Sequence, residues 1–266
     1  MNVLALCSGI GGIELGIQLA EPGARTVCYV EREAFPIAVT LTRIREGYLD
    51  DAPVWSDVKT FDGKPWRGKV DLVTGGYPCQ PFSVAGRRKG ADDPRHLWPD
   101  IRRIIGEVQP RFCFFENVAN HLRIGFESVW RDLSDMGYTV EAGLFTAAEL
   151  GGPHRRQRLF ILGDATQHRL QGSGTGRRQG PHPSPATSLP GCSGADGALW
   201  PPARDDADGW DKVRQSGEGL EPAICRVADG IPNRVDRLAA LGNAVVPAVA
   251  AKAWRQLRKE AIGDIL

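Results

Sequence analysis

The chain has 266 residues, of which 42% are hydrophobic, enough for one large domain or one domain with a small insert. The formal net charge of +1 excludes a chain that is basic overall, so any nucleic-acid-binding surface has to be local. No stretch approaches the ~18 consecutive apolar residues of a membrane span, and the N-terminus lacks the basic region of a signal peptide. We therefore expect a cytoplasmic protein without a membrane partner.

The six cysteines are scattered, without a CxxC pair or a histidine close by, which argues against a zinc cluster and a disulfide framework. No metal is therefore expected. Cys7, Cys28 and Cys113 lie within or at the end of apolar runs, where a cysteine usually acts as a small buried hydrophobic residue. Cys79 has different surroundings and is treated separately below.

Short apolar runs alternate with amphipathic segments along the first part of the chain. The runs rich in Val, Leu, Ile and Phe predict buried strands at 2–7, 26–31, 70–74, 111–116 and 159–162. Apolar residues at helical spacing predict helices at 13–20, 34–46, 100–108, 127–136 and 247–262. This alternation indicates an α/β fold, a mostly parallel sheet with helices on both faces, in which ligands bind beyond the carboxyl ends of the strands.

The first predicted strand leads into a glycine-rich turn, Cys-Ser-Gly-Ile-Gly-Gly at 7–12, which is followed by a helix. Glycines let the backbone approach a ligand closely, and a helix N-terminus attracts polar or anionic groups. The spacing is not GxGxxG, so a dinucleotide is not the natural inference. A turn of this kind also occurs for purely conformational reasons.

Two carboxylates follow the next apolar runs. Glu31 ends the second predicted strand, where it could accept hydrogen bonds from both hydroxyls of a ribose. Asp57 follows the run Pro-Val-Trp at 53–55 and could receive the amino group of an adenine. For Asp57 alone, a capping or solvated carboxylate is the plainer interpretation.

Cys79 stands between two prolines, in the sequence Gly-Gly-Tyr-Pro-Cys-Gln-Pro-Phe-Ser at 75–83. The prolines fix the backbone and the glycines permit a sharp turn, so the thiol would be held at the mouth of the sheet. A basic cluster, Arg87, Arg88 and Lys89, follows between two glycines. It is either a solvated run of charges or part of a mobile loop that clamps phosphates.

The predicted strand at 111–116 ends in Glu116, a carboxyl group on an otherwise apolar run. Such a group should have a raised pKa and could hold a proton to donate. Arg156 and Arg158 precede the last apolar run and would share a face if strand geometry begins there. The pair would form an anion or carbonyl clamp, or merely a charged strand edge.

Composition changes after Asp164. Residues 165–204 contain seven Gly and six Pro, with several arginines against a single acidic residue, Asp196. A segment of this composition cannot build a core of its own and is expected to be partly disordered. Regular structure should resume near residue 226.

Taken in order, these motifs resemble the C5-cytosine-specific DNA methyltransferase family of bacteria and phages. Seven features match motifs of that family in order and spacing. They are the glycine turn, Glu31, Asp57, the Pro-Cys-Gln loop, Glu-Asn-Val at 116–118, the Arg-x-Arg pair, and Leu-Gly-Asn-Ala-Val-Val-Pro at 241–247. The resemblance implies a Rossmann-like S-adenosylmethionine-dependent methyltransferase fold. It also implies a catalytic and cofactor-binding domain at 1–164, a short target-recognition insert at 165–225, and a segment at 226–266 that returns to the catalytic domain.

The activity implied by the resemblance is transfer of a methyl group from S-adenosyl-L-methionine to C5 of a flipped-out cytosine in duplex DNA. In the catalytic set Cys79 would add to C6, and protonated Glu116 would bond N3. Arg158 would hold O2, and Arg156 would support either Cys79 or the same edge of the ring. The implied cofactor-binding residues are Cys7, Ser8, Gly9, Ile10, Gly11, Gly12, Glu31, Asp57, Val58, Pro78, Leu97, Asn243 and Val245. The implied DNA-binding residues are Gln80, Ser83, Arg87, Arg88, Lys89, Arg169, Arg177 and Arg178.

Three other functions share parts of this pattern. A tRNA cytosine-5 methyltransferase would carry the same catalytic motifs. A non-catalytic nucleic-acid-binding homologue would not need Cys79, Glu116 and Arg158 together. A nucleotide-dependent oxidoreductase is disfavoured by the glycine spacing. We expect a monomer that acts on double-stranded DNA, while the target sequence and the existence of a cognate restriction endonuclease stay open.

Overall fold

A computed structural model of the chain describes residues 1–78, 97–152, 156–165 and 234–262. In these ranges seven strands form one sheet, with the order β3-β2-β1-β4-β5-β7-β6. The strands are β1 (Asn2–Leu6), β2 (Arg25–Val30), β3 (Val54–Trp55), β4 (Leu72–Gly75), β5 (Phe112–Val118), β6 (Thr139–Phe145) and β7 (Arg158–Asp164). The helices are α1 (Gly12–Ala20), α2 (Ala34–Arg45), α3 (Trp98–Val108), α4 (Phe126–Asp135), α5 (Arg234–Asn243) and α6 (Pro247–Ile262).

The first five strands run parallel, with β1 between β2 and β4. Leu6 is in register with both Val30 and Gly75, and Gly75 is in register with Phe115. The carboxyl ends of four strands therefore lie side by side, and the glycine turn, Glu31 and Glu116 all follow or end these strands. The expected mostly parallel sheet with a Rossmann-like order is confirmed.

The other edge of the sheet is antiparallel. Strand β7 runs antiparallel to both β5 and β6. The sequence analysis did not predict β6, because Glu141 and Gly143 interrupt its apolar residues and only three of its seven residues are buried. A strand of this kind is defined by its pairing with β7 more than by its own composition.

Helices cover both faces of the sheet. On one face, α3 and α4 bury residues such as Ile104 and Leu133 against the strands. On the other, α1 and α6 pack together, and the fully buried Trp254 of α6 meets Phe112 and Phe114 edge-on. The indole Nε1 of Trp254 also donates to Glu21 Oε1 at the end of α1, at 3.0 Å.

The C-terminal segment therefore contributes a helix to the same core as the first helix of the chain. The bounds of α6 match the predicted 247–262. Helix α5 was not predicted. The three-part division at 164 and 225 stays a prediction, since residues 166–233 are outside the described part of the chain. Within that part, no helix is both long and apolar enough to cross a membrane.

Candidate active site

A cavity of about 680 Å³ opens at the carboxyl ends of the parallel strands. Its walls come from the glycine turn, the start of α2, the ends of β4 and β5, the first residue before α3, and helix α5 with the link to α6. Of the thirteen residues proposed from sequence as cofactor-binding, twelve line this cavity: Cys7, Ser8, Gly9, Ile10, Gly12, Glu31, Asp57, Val58, Pro78, Leu97, Asn243 and Val245.

The thirteenth, Gly11, does not line the cavity but shapes the turn beside it. Its φ is 83°, in the left-handed region that favours glycine, and a Cβ there would lie 2.7 Å from Leu49 Cδ1. At Gly12, a Cβ would lie 2.3 Å from the carbonyl oxygen of Val245. The link between α5 and α6 therefore packs directly on the first turn of α1, and only glycine leaves room for it.

Side chains of the β2–α2 region hold the glycine turn in place. Glu31 Oε2 accepts a hydrogen bond from Gly9 N at 2.7 Å, while Oε1 accepts from the backbone of residues 32 and 33. From α2, Thr40 Oγ1 donates to Gly9 O at 3.2 Å and Arg43 Nη1 donates to Ile10 O at 2.8 Å. The sequence analysis missed Thr40 and Arg43, because nothing in the pattern of α2 shows which of its residues face the turn.

Two polar groups bear on what the cavity can hold. Ser8 is buried, and its Oγ has no hydrogen-bond partner among the described residues. An unpaired hydroxyl in a cavity wall fits a polar ligand. Asp57 Oδ1 accepts from Lys59 N at 2.9 Å, so this carboxylate caps a local turn while it also lines the cavity. Both interpretations offered for Asp57 are compatible with this position.

Glu116 and Arg158 form an ion pair at the edge of the cavity. Arg158 Nε lies 2.9 Å from Glu116 Oε1, and their side chains are 20% and 9% exposed. Burial raises the pKa of Glu116 to about 7, although Arg158 and Arg156 act in the opposite direction. The raised pKa expected from the sequence is confirmed. Near neutral pH this carboxyl group is therefore partly protonated, and in its protonated form it can donate a hydrogen bond.

The segment that leads to Cys79 is anchored to β5 and to the short 3-10 helix Ala119–Leu122. Asn117 Nδ2 donates to Tyr77 O at 3.0 Å, and the hydroxyl of Tyr77 lies 3.0 Å from His121 Nε2. Burial lowers the pKa of His121 to about 4, so the imidazole is neutral here. The sequence analysis assigned no function to Asn117, Tyr77 or His121, although it recognised the motif that contains Asn117.

The side chains of Arg156 and Arg158 contact different groups. Strand geometry begins only at Arg158, and Arg156 has a φ of 31°, so the condition for the two side chains to share a strand face is not met. Arg156 Nη2 donates to Gly242 O at 2.8 Å and to Ala244 O. Arg158 lines the cavity, whereas Arg156 does not.

Comparison with known proteins decides the family. The sequence profile of C-5 cytosine-specific DNA methylases matches residues 1–193. The chain belongs to this family. The resemblance drawn from the motifs is thereby confirmed.

Curated methylases share the N-terminal part of this chain. Type II methyltransferase M.NgoMIV of Neisseria gonorrhoeae is 34% identical over 167 residues, which cover 60% of this chain and 50% of that protein. Type II methyltransferase M.NaeI of Lentzea aerocolonigenes is 29% identical over 273 residues, which cover 99% of this chain and 59% of that protein. The chain thus spans about half the length of these curated relatives.

Solved methyltransferase structures share the fold. The Dnmt2 methyltransferase of S. pombe superposes with a TM-score of 0.51 at 27% identity, covering 62% of this chain and 50% of that one. A DNMT2 mutant of Spodoptera frugiperda gives a TM-score of 0.62 at 15% identity, covering 97% of this chain and 99% of that one. The second similarity shows the fold alone, and it extends over nearly the whole chain.

The remaining residues proposed from the sequence lie outside the described part of the chain. These are Cys79 and the residues proposed to contact DNA: Gln80, Ser83, Arg87, Arg88, Lys89, Arg169, Arg177 and Arg178. Their roles stay predictions.

Cys28 and Cys113 are buried, as expected. Cys7 is half-buried, lines the cavity, and has its pKa raised to about 12 by burial, so its thiol stays protonated.

Proposed function

We propose that this chain is a DNA (cytosine-5)-methyltransferase that uses S-adenosyl-L-methionine. The observation that carries the proposal is the Glu116–Arg158 pair at the edge of the cavity lined by the glycine turn and Glu31. One side of the cavity offers groups suited to a nucleoside, and the other offers a proton donor and a guanidinium suited to a cytosine. A methyl transferase has to bring these two ligands together.

The cavity suits the cofactor in size and chemistry. Its volume of about 680 Å³ lies within the usual range for small-molecule sites. Glu31 would accept a ribose hydroxyl on Oε2, since three backbone N–H groups already take about three of the roughly four acceptor positions of the carboxylate. Asp57 would receive the adenine amino group, and the unpaired Ser8 hydroxyl would bond a polar group of the ligand. When bound, S-adenosylmethionine supplies an electrophilic methyl group.

The chain itself has to make C5 of cytosine nucleophilic. The thiolate of Cys79 would add to C6, and the electron pair of the C5–C6 double bond would then be available at C5. Glu116 would donate a hydrogen bond to N3 and stabilise the charge that develops on the ring. Arg158 would hold the O2 carbonyl. After transfer, loss of the C5 proton lets the thiolate leave.

The ion pair supports a specific site for the Glu116 proton. Because Arg158 Nε donates to Oε1, a proton on Glu116 belongs on Oε2. Oε2 lies 3.5 Å from the position that a Cβ on Gly76 would take, on the side of the segment that leads to Cys79. The proton donor and the proposed nucleophile would therefore meet the same ring.

The family and the chemistry support duplex DNA as the partner. A cytosine stacked in a duplex hides both ring faces, so the base has to be flipped out, at a cost of a few kcal/mol. Arg87, Arg88 and Lys89 would contact backbone phosphates, and the insert at 165–225 would contribute to target choice. We further propose a monomeric, cytoplasmic enzyme, with or without a cognate restriction endonuclease.

The direct test is methyl transfer by the purified chain. Labelled S-adenosylmethionine is supplied with duplex DNA, with tRNA, or with both in competition, and Cys79→Ala serves as the inactive control. We expect label in DNA, and 5-methylcytosine at a fixed sequence by bisulfite sequencing. Label in tRNA alone would establish the RNA alternative. Binding of DNA without transfer to either substrate would establish a non-catalytic homologue.

A further inference from the structure

Arg156 and Arg158 are separated by one residue but bind different parts of the molecule. Arg158 pairs with Glu116 across the β5–β7 ladder. Arg156 precedes the strand, and its guanidinium reaches the carbonyl oxygens of Gly242 and Ala244. The left-handed φ of 31° at Arg156 turns the backbone so that these two side chains diverge.

The two carbonyl oxygens that accept hydrogen bonds from Arg156 lie at the end of α5 and just beyond it. Carbonyls at a helix C-terminus lack intrahelical donors and carry the negative end of the helix dipole. A guanidinium suits them, because its Nη2 nitrogen carries two N–H groups and here donates to both carbonyl oxygens. Arg156 therefore caps α5 from a different part of the chain, 86 and 88 residues away in sequence.

The capped segment is a wall of the cavity. Gly242, Asn243, Ala244 and Val245 all line it. The carbonyl of Val245 also packs so closely on Gly12 that a Cβ there would lie 2.3 Å from the oxygen. The link between α5 and α6 thus lies between Arg156 on one side and the glycine turn on the other. A shift of this link would change the cavity directly.

We propose that Arg156 is a positioning residue that holds the link at 242–246 in place as a wall of the cofactor pocket. This inference rests on the proposed function, since it assigns the cavity to S-adenosylmethionine. Arg156 then acts on the cofactor through the backbone of the link and does not touch the target base. The residue that holds the cofactor wall and one member of the proposed cytosine-binding pair therefore lie two residues apart on one stretch of backbone.

A change at Arg156 should affect cofactor affinity more than the chemical step. Loss of charge-assisted hydrogen bonds predicts that S-adenosylmethionine binds to Arg156→Ala about tenfold to a hundredfold more weakly than to the wild type. At saturating cofactor and at a pH well below 7, where Glu116 holds its proton with or without the charge of Arg156, the methyl-transfer rate should recover to near the wild-type value. Arg156→Lys should be intermediate, because its ammonium group keeps the charge and can donate two hydrogen bonds, but the shorter side chain does not reach the position of Nη2.

Arg67 provides a matched control. Its side chain donates to Glu107 O at 2.9 Å and Gly106 O at 3.3 Å, at the end of α3, and it is not among the residues that line the cavity. Arg67→Ala therefore removes the same type of cap without touching the pocket. We expect its cofactor affinity to equal that of the wild type, with both measured by calorimetry.

Hydrogen exchange tests the inference in cofactor-free protein. Backbone amides at 243–246 should exchange faster in Arg156→Ala and Arg156→Lys than in the wild type and Arg67→Ala. Unchanged cofactor affinity, unchanged exchange and a lowered rate at saturating cofactor would overturn the inference and make Arg156 a catalytic residue. A wild type that binds no S-adenosylmethionine would refute the proposed function, while the exchange data would still decide what Arg156 holds.

Discussion

Glu116 and Arg158 are diagonal neighbours on one face of the antiparallel β5–β7 pair, with 2.9 Å between Oε1 and Nε. Glu116 is in register with Phe160, so Arg158, two residues before Phe160, projects from the same face. Two motifs 42 residues apart therefore form one site. The guanidinium orients the carboxyl group, and burial keeps its pKa near 7.

The protonation of Glu116 predicts a pH dependence of methyl transfer. Only the protonated carboxyl group can donate to N3, so its contribution should fall as the pH rises through about 7. A free cysteine thiol titrates near ~8.5, so the proposed nucleophile would act in the opposite direction and raise the rate with pH. The informative quantity is therefore the ratio of wild-type to Glu116→Gln rates, because an amide donates at every pH. We expect this ratio to fall between pH 6 and pH 9. A constant ratio would reject the proton-donor role.

Covalent trapping tests Cys79. A duplex that carries 5-fluorocytosine at the target has no proton to lose from C5, so the adduct with the enzyme should persist when cofactor is present. We expect a cross-linked species on a denaturing gel for the wild type and none for Cys79→Ala. Cys79→Ser should also abolish transfer, because a hydroxyl is far less nucleophilic than a thiolate. Trapping by the alanine variant would show that another residue is the nucleophile.

Removal of the Glu31 carboxylate should weaken cofactor binding. Glu31→Ala removes the acceptor for the ribose and the bond to Gly9 N, and we expect a loss of roughly 2–4 kcal/mol by calorimetry. The control is Asp62→Ala, which removes a carboxylate that bonds Lys64 N outside the cavity lining. If both variants bind the cofactor as the wild type does, Glu31 serves only the glycine turn.

Glu14 predicts that stability depends on pH. It is 1% exposed, Thr74 Oγ1 donates to its Oε1 at 2.8 Å, and its Oε2 has no partner among the described residues. Burial raises its pKa from 4.5 to about 7. Between these values the folded chain keeps a proton that the unfolded chain has lost, so the free energy of unfolding falls as the pH rises.

The matching variant is Glu14→Gln, whose neutral amide does not titrate. Relative to wild type it should gain stability from pH 5 to pH 8, on the order of 3 kcal/mol, measured by denaturant unfolding. Glu116 should leave a residual slope in both proteins, because its pKa is also raised to about 7. Equal slopes in the two proteins would show that Glu14 does not titrate in this window.

The arginines of the insert should contribute to DNA binding. Joint replacement of Arg169, Arg177 and Arg178 by alanine should weaken DNA binding and reduce its salt dependence, with cofactor affinity unchanged. Deletion of residues 172–194 separates recognition from a passive connection. Methylation at the same target after that deletion would show that this segment reads no sequence.

The sequence predicted most strands and helices of the parallel half of the sheet, because their apolar runs are continuous and buried. It did not predict β6, whose burial depends on pairing with β7. It also did not predict α5, a ten-residue helix that lies against the cavity. Elements that depend on a partner leave a weak pattern in their own residues.

The sequence by itself determined the family and the residue types of the site, since motifs such as the glycine turn and Glu-Asn-Val at 116–118 are recognised from residue order alone. Only the tertiary structure decided what each side chain contacts. Thr40 and Arg43 hold the glycine turn, and Arg156 caps α5 rather than sharing a face with Arg158. The direction of a side chain depends on the backbone φ and on packing between distant segments, and the local spacing of residues predicts neither of them.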